Sequence, residues 1–380
     1  MIKNYILTVD VLSPVFIGNG NEISKKDCLY QKSERLVYVM DSRKVFDGLK
    51  KAGMLKKYEE FLKDSKQKNF SDFTKNNNIS LSHVKSWAAY TLPMNDITDV
   101  NNSRRNGGGS DNILEFVKDK FGCPYIPGSS MKGAVRTLIQ NALCMKKVQS
   151  FADIRKEIES ECFNNRTKYL SYAEKNISCS LFNTLNRKED KPKDILNDSF
   201  AGIRISDSEP LDISSLILSQ KIEVKPDGSI TALPIKRECL KPGTKVRFSV
   251  EIDTDMMDIS PEMICRYSKE VFEKYHVDFL DKFKDVIVKH HNCSSPVIIG
   301  GGSGYVSKTS TYSLYDDKLE ALNAVQKIMV NTTSTRKQHD PHKHIEDSKK
   351  YKVSPHIRKC TQYEGKLYDM GICEMSFSEV

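Results

Sequence analysis

Three short segments are rich in glycine or serine, and the last two also carry fixed positive charge: Gly18-Asn19-Gly20, YIPGSSMKGAVR from Tyr125 to Arg136, and GGGSGYVSKT from Gly300 to Thr309. Small residues let backbone N–H groups approach a ligand closely, and N–H groups beside lysine or arginine suit a phosphate. The candidate ligating residues are Gly18, Gly20, Ser129, Ser130, Lys132, Gly133, Arg136, Gly301, Gly302, Gly304 and Lys308. Taken singly, each segment also reads as an ordinary tight turn. Nucleotide fingerprints fail on spacing. Ser307 precedes Lys308 where a Walker loop needs glycine, and Ser307 also stands where the third Rossmann glycine would fall. A polyanion remains, because it needs donors and charge without fixed nucleotide geometry.

Other chemistry is thinner. Asp27, in a lysine-rich loop with no partner carboxylate close in sequence, reads as a surface aspartate. His83, His276, His290 and His291 could serve as general acids or bases but sit in no motif. HDPHKH brings His339, Asp340, His342 and His344 together, yet structural zinc needs four ligands in a rigid frame, so it reads as a mobile basic loop and no metal is expected. Arg104 and Arg105 lie in a glycine-rich stretch that reads as a solvated loop or one ordered by RNA. The ten cysteines contain no Cys-x-x-Cys pair and read as reduced structural thiols.

The elements that must position these residues follow from periodicity. Tyr5, Leu7, Val9 and Val11 alternate as a strand, with Gly18–Gly20 as a loop after it. Leu36–Met40 reads as a second strand, and Val45–Leu62 as a helix that Gly53 interrupts. Residues 63–112 are polar and uneven, and SRRNGGGSDN from Ser103 reads as a flexible loop or insertion. Met131, Ala134, Val135, Leu138, Ile139, Ala142 and Leu143 make a helical stripe, with Ser129 or Ser130 as N-cap. Lys132 and Arg136 share a face, and Gly133 lowers helix propensity by about 1 kcal/mol relative to alanine. A helix that keeps it needs close backbone approach there. Strands at 221–224 and 229–235 flank the turn Pro226-Asp227-Gly228 as a projecting hairpin. Val246–Ile252 alternates, a helix runs through Tyr267 to Ile287, and a helix at 319–329, a polar loop at 331–350 and a final strand, Leu367–Phe377, close the chain. Mixed elements without βαβ spacing predict an α+β fold.

The 380 residues are 38% hydrophobic and 29% charged, with 59 basic against 50 acidic side chains, which suits a globular protein of one large core or two modest lobes. No apolar run reaches the roughly 18 residues of a membrane span. The segment MIKNYILTVDVLSPV is interrupted by Asp10 and Pro14, unlike a signal peptide, so a cytoplasmic location is expected.

LSPVFIGNG, YIPGSSMKGAVR and IIGGGSGYVSKT together resemble the RAMP superfamily of CRISPR RNA-binding proteins. IRISDSEPL, LPIKRECLKPGTKVRFSVEID and YEGKLYDMGICEMSF are similar to the capping subunits of type III-A Csm effector complexes. The resemblance implies a modified RRM-like, ferredoxin-like core with helical insertions near 50–112 and 145–198, and a thumb hairpin near 212–235. It implies that the glycine-rich loop at 300–309 and the Ser129–Arg136 helix start lie on the guide backbone, while chain length leads us to expect two lobes, 1–205 and 206–380. It implies a non-catalytic subunit without cofactor that caps the 3′ region of the crRNA guide. Its expected partners are that guide, target RNA near the thumb, a neighbouring backbone RAMP subunit and the small helical subunit of the complex. The alternative within the superfamily is an RNA endonuclease, guide-processing or target-cutting, for which the resemblance makes Asp27 the nearest candidate aspartate.

Overall fold

In the computed structural model, which describes residues 1–64, 69–94, 97, 112–161, 168–284, 286–290 and 292–380, the alternating N-terminal segment forms β1 (Ile2–Val11). Its alternate residues Leu7, Val9 and Val11 are buried, as period-2 patterning requires of a strand with one covered face. β1 pairs antiparallel with β10 (Lys245–Asp253) on one side and β14 (Ile372–Glu379) on the other. β7 (Ile203–Ile205) and β11 (Pro296–Ile298) flank them, giving the order β11-β14-β1-β10-β7. The long helices α5 (Gly128–Lys146) and α8 (Pro261–Asp278) pack together, α5 reaching β7 and β11, and α8 reaching β11 and β14. Met131, Val135, Leu138, Ile139 and Ala142 join Leu7, Val9, Phe248 and Ile264 in one core. The chain therefore runs β1-α5-β7-β10-α8-β14 through this layer.

A second sheet has the order β13 (Lys366–Asp369), β12 (Arg358–Tyr363), β8 (Leu216–Val224), β9 (Ile230–Leu240), β6 (Ile113–Phe116), β2 (Gly18–Ile23), with β6 and β9 parallel and the other neighbours antiparallel. A third joins β3 (Cys28–Gln31), β4 (Leu36–Met40) and β5 (Ala88–Pro93). Helices α1 (Ser42–Lys51), α2 (Leu55–Lys63), α3 (Phe70–Asn76) and α4 (Leu81–Ser86) share a separate core with it around Phe61, Phe70, Phe73 and Trp87. Gly53, at φ +66°, divides α1 from α2 as its position foretold. α6 (Ala152–Glu161) and α7 (Lys168–Phe182) lie between α5 and β7 in the chain, and α9 (Lys318–Thr333) and α10 (His344–Tyr351) follow the glycine-rich loop.

Several expectations change. Gly18–Gly20 lies within β2, because distant β6 supplies its pairing partner. The described part of 63–112 contains α3, α4 and β5, while Arg104 and Arg105 lie outside the described residues. The hairpin forms with Gly228 at φ +89°, but it does not stand free. β12 pairs along β8 up to Val224, and Tyr351 Oη donates to Asp227 at the tip at 2.9 Å. The closing strand breaks at Gly371 (φ +84°), where a Cβ would overlap the Ile299 carbonyl, so β13 and β14 enter different sheets. Both large sheets mix strands from either side of residue 205.

Candidate nucleic-acid interface

α5 begins at Gly128, and its first turn is capped from outside. The Gly128 N–H donates to Asp207 Oδ1 at 2.8 Å, and the Ile126 N–H donates to Ser208 Oγ at 2.9 Å. Neither Ser129 nor Ser130 is the N-cap. Both lie inside the first turn, and the Ser130 and Met131 N–H groups donate to the Pro127 carbonyl. Gly128 is buried where a Cβ would overlap the carbonyl oxygens of Ile205 and Ser206. The negative group met by the first N–H of the helix is thus the protein's own Asp207. The close backbone approach belongs to Gly128, because a Cβ on Gly133 would meet nothing within 4 Å.

Lys132 and Arg136 do share a face, and that face is covered. The Arg136 guanidinium donates to Asp198 Oδ2 at 2.8 Å and to Ser178 Oγ at 2.7 and 3.2 Å. It lies 4.4 Å from the Phe182 ring centroid and 5.0 Å from that of Phe200. Lys132 stands over the same Phe200 ring at 5.5 Å, and desolvation lowers its pKa. Arg136 therefore ties α7 and the Asp198 turn to α5. We expect Arg136→Ala to destabilise the protein by about 2–3 kcal/mol, since it strands Asp198 and removes the stacked plane. Arg136→Lys should not restore it, because an ammonium cannot reproduce the fork. Urea unfolding midpoints check this, and an unchanged midpoint for Arg136→Ala would remove the structural role.

The opposite face of α5 opens on a cleft of about 460 Å³. Ser129, Ser130, Gly133, Ala134 and Thr137 form one wall, Val271, Phe272 and Tyr275 of α8 another, and Gly18, Gly300, Gly301 and Lys308 close the rest. Segments more than a hundred residues apart thus converge on one concavity. Phe16 organises the junction. Its carbonyl accepts from the Gly301 N–H at 2.7 Å, and a Cβ on Gly300 (φ +74°) would overlap that same carbonyl. Lys308 leaves its stem exposed and turns its ammonium back to the Ile298 carbonyl at 3.3 Å. Desolvation there pulls its pKa down to about 8, and among the described residues it has no carboxylate partner. Lys274 and Asp278, 2.7 Å apart, neutralise each other at the α8 end. A cleft with hydroxyls, an unpaired ammonium and aromatic walls suits a phosphate carried on a larger, partly apolar ligand.

The remaining candidates lie elsewhere. Gly20 (φ +90°) sits on exposed β2, and Gly302 and Gly304 turn to the other side of their loop, against Arg237 and Lys359. Asp27 accepts from Ser24 Oγ at 2.5 Å and closes its own turn. His83 is exposed on α4 beside Ser80, His276 packs edge-on to Phe272, His290 stands near Tyr368, and His291 lies outside the described residues. Asp207, Phe16 and Arg237 escaped the sequence reading. The blocks SDSEPL, LSPVF and KRECLKPGT that contain them were visible only as resemblance.

HDPHKH is not a loose loop throughout. Asp340 caps α10, accepting from the His344 and Ile345 N–H groups at 2.9 and 2.8 Å. His344 is buried with its ring 4.8 Å from that of His356. Among the described residues no group of three His, Cys, Asp or Glu is placed to hold a metal ion. Burial first, then His356, pushes the His344 pKa down to about 4. In the unfolded chain it titrates near 6.5. The unfolded state therefore takes the proton first, and stability falls as pH drops from about 6.5 towards 4, by up to about 3 kcal/mol. His344→Asn should flatten that loss in a melting-temperature series, and parallel curves for the two proteins would refute it.

Residues 8–294 match the RAMP superfamily. A Mycobacterium tuberculosis (strain CDC 1551 / Oshkosh) protein named CRISPR system Cms protein Csm5 is 27% identical over 395 residues, covering 99% of this chain and 98% of that protein. A Streptococcus thermophilus protein of the same name is 27% identical over 315 residues, covering 81% and 80%. Two solved structures share the fold. A chain in the cryo-EM structure of a Csm-crRNA-target RNA ternary complex of a type III-A CRISPR-Cas system gives a TM-score of 0.61 at 18% identity, covering 99% of this chain and 100% of that one. The crystal structure of T. onnurineus Csm5 gives 0.60 at 17%, covering 97% and 99%. None of the helices among the described residues is long and apolar enough to cross a membrane. With the family match spanning most of its length, the chain belongs to the RAMP superfamily.

Proposed function

We propose that this protein is a non-catalytic crRNA-binding subunit of a type III-A Csm interference complex in the cytoplasm, seating the 3′ region of the guide and the adjacent backbone subunit. The observation that carries the RNA reading is the convergence of Gly18, Ser129, Ser130, Gly133, Gly300, Gly301 and Lys308 on one cleft. The relatives named Csm5 support the assignment to a Csm complex. The sheet order β14-β1-β10-β7, with α5 and α8 as crossovers, supports a ferredoxin-like core. The β8–β9 hairpin is our choice for the thumb, with exposed Ile230 and Thr231 nearest target RNA. A subunit that holds guides of many sequences reads backbone rather than bases, so binding is salt-dependent with little base preference. The cut-competent alternative is left without a favouring observation, since Asp27 is engaged by Ser24.

The test is end-labelled single-stranded RNA carrying a guide-repeat sequence, titrated with pure protein across a salt series, with and without magnesium. Intact, salt-sensitive complexes are expected. Discrete cleavage products that track the protein through purification would replace the capping role with a nuclease.

A further inference from the structure

The side of the glycine-rich loop away from the cleft faces a second group of cations. Arg237 of β9 stands opposite Ser219 of β8. Its guanidinium lies 5.2 Å from the Phe16 ring centroid and so close to Gly302 that a Cβ there would overlap it. Gly304 sits against the stem of Lys359, whose Cγ would be 3.5 Å from an added Cβ. Lys221 completes the group, its pKa lowered by burial first and then by Lys359 and Arg237. One carboxylate, Glu223, serves both lysines, pairing with Lys359 and lying 3.6 Å from Lys221. Glu238, next in sequence, is buried and already engaged, accepting from Tyr90 Oη at 2.6 Å, the Phe116 N–H at 2.9 Å and Lys118 Nζ at 2.5 Å.

Arg237 thus has no counter-charge. Among the described residues its guanidinium makes no hydrogen bond or ion pair, its Nε is buried without an acceptor, and no carboxylate acts on its pKa, which desolvation lowers. An arginine keeps its charge and five donors at any ordinary pH. Holding it partly out of water with nothing to receive those donors is unfavourable, and an anion relieves that. The neighbouring loop offers more donors. Gly302 (φ +90°) and Gly304 (φ +95°) bracket Ser303, an alternation of backbone handedness that gathers successive N–H groups into an anion-binding concavity.

We propose that Arg237, with Lys221, Lys359 and the Gly302–Gly304 loop, forms a second phosphate site that takes another phosphodiester of the same single-stranded RNA. This rests on the reading of the protein as a binder of single-stranded RNA. The loop then separates two seats: Gly300, Gly301 and Lys308 face the cleft, while Gly302 faces Arg237 and Gly304 faces Lys359. Stacking on Phe16 alone would make Arg237 a structural prop, and the salt dependence of binding separates the two roles.

The experiment measures RNA affinity over a salt series for the full-length wild type, Arg237→Gln, Arg237→Lys and Lys308→Ala, with thermal melts alongside. Loss of one phosphate contact lowers the slope of log K against log salt by about 0.7 for a single strand. Arg237→Gln should show that drop with about tenfold weaker binding at low salt, and Arg237→Lys should keep the slope with a severalfold loss. Arg237→Gln with wild-type affinity and slope, or weaker binding at unchanged slope, overturns the site. If Arg237→Gln fails to fold, Arg237→Lys decides: a severalfold loss supports the site, and wild-type affinity overturns it. If Lys308→Ala leaves binding untouched while Arg237→Gln lowers the slope, the cleft reading fails and this site stands. A wild type that binds no RNA ends both.

Discussion

Gly133→Trp is expected to weaken guide-RNA binding by about a hundredfold or more while leaving the fold intact. Gly133 is exposed in the second turn of α5, lines the cleft, and has open space where its Cβ would be. Nothing in the protein resists a side chain there, so an indole projects into the 460 Å³ cleft rather than into the core. A blocked phosphate seat together with a lost aromatic wall amounts to two tenfold steps or more, at about 1.4 kcal/mol each. Glycine inside a helix costs roughly 0.5–1 kcal/mol against alanine, so Gly133→Ala should raise stability by that amount. Affinity titrations paired with thermal melts check both halves. A tryptophan variant that melts normally and binds like wild type would place the RNA elsewhere.

Gly128→Ala, five residues earlier in the same helix, should have the reverse effect on stability. Its Cβ would overlap the backbone oxygens of Ile205 and Ser206, which cannot rotate away as a flexible side chain could. Relieving that overlap pulls α5 from the Ser206–Ser208 segment and breaks the Gly128 to Asp207 hydrogen bond. Overpacking together with a lost cap is expected to cost about 3–5 kcal/mol. Denaturant midpoints for the two alanine variants give the comparison directly. Equal midpoints would mean that the helix start is not clamped by the SDSEPL segment.

These two glycines also mark what the sequence alone can tell. The period-2 run of β1, the helical stripe of α5, the break at Gly53 and the Pro226-Asp227-Gly228 turn are local, and all were legible. Gly128 and Gly133 look alike in sequence because their difference is made by Ile205, more than seventy residues on. Arg136 read as a free cation because its partners, Ser178 and Asp198, belong to another helix and a turn. Gly18–Gly20 read as a loop because its strand partner lies about a hundred residues away in β6. Long-range pairing likewise hid the clamp on the hairpin and the burial of His344. The three glycine-containing segments were each recognisable, and the cleft they share was not.

The most direct test of the cleft as the guide-RNA seat is ultraviolet cross-linking of intact protein to 4-thiouridine-substituted guide RNA, with the adducts mapped by mass spectrometry. Adducts on peptides spanning Ser129–Thr137 and Gly300–Lys308 are predicted. Adducts confined to other parts of the chain, with those two segments bare, would contradict it.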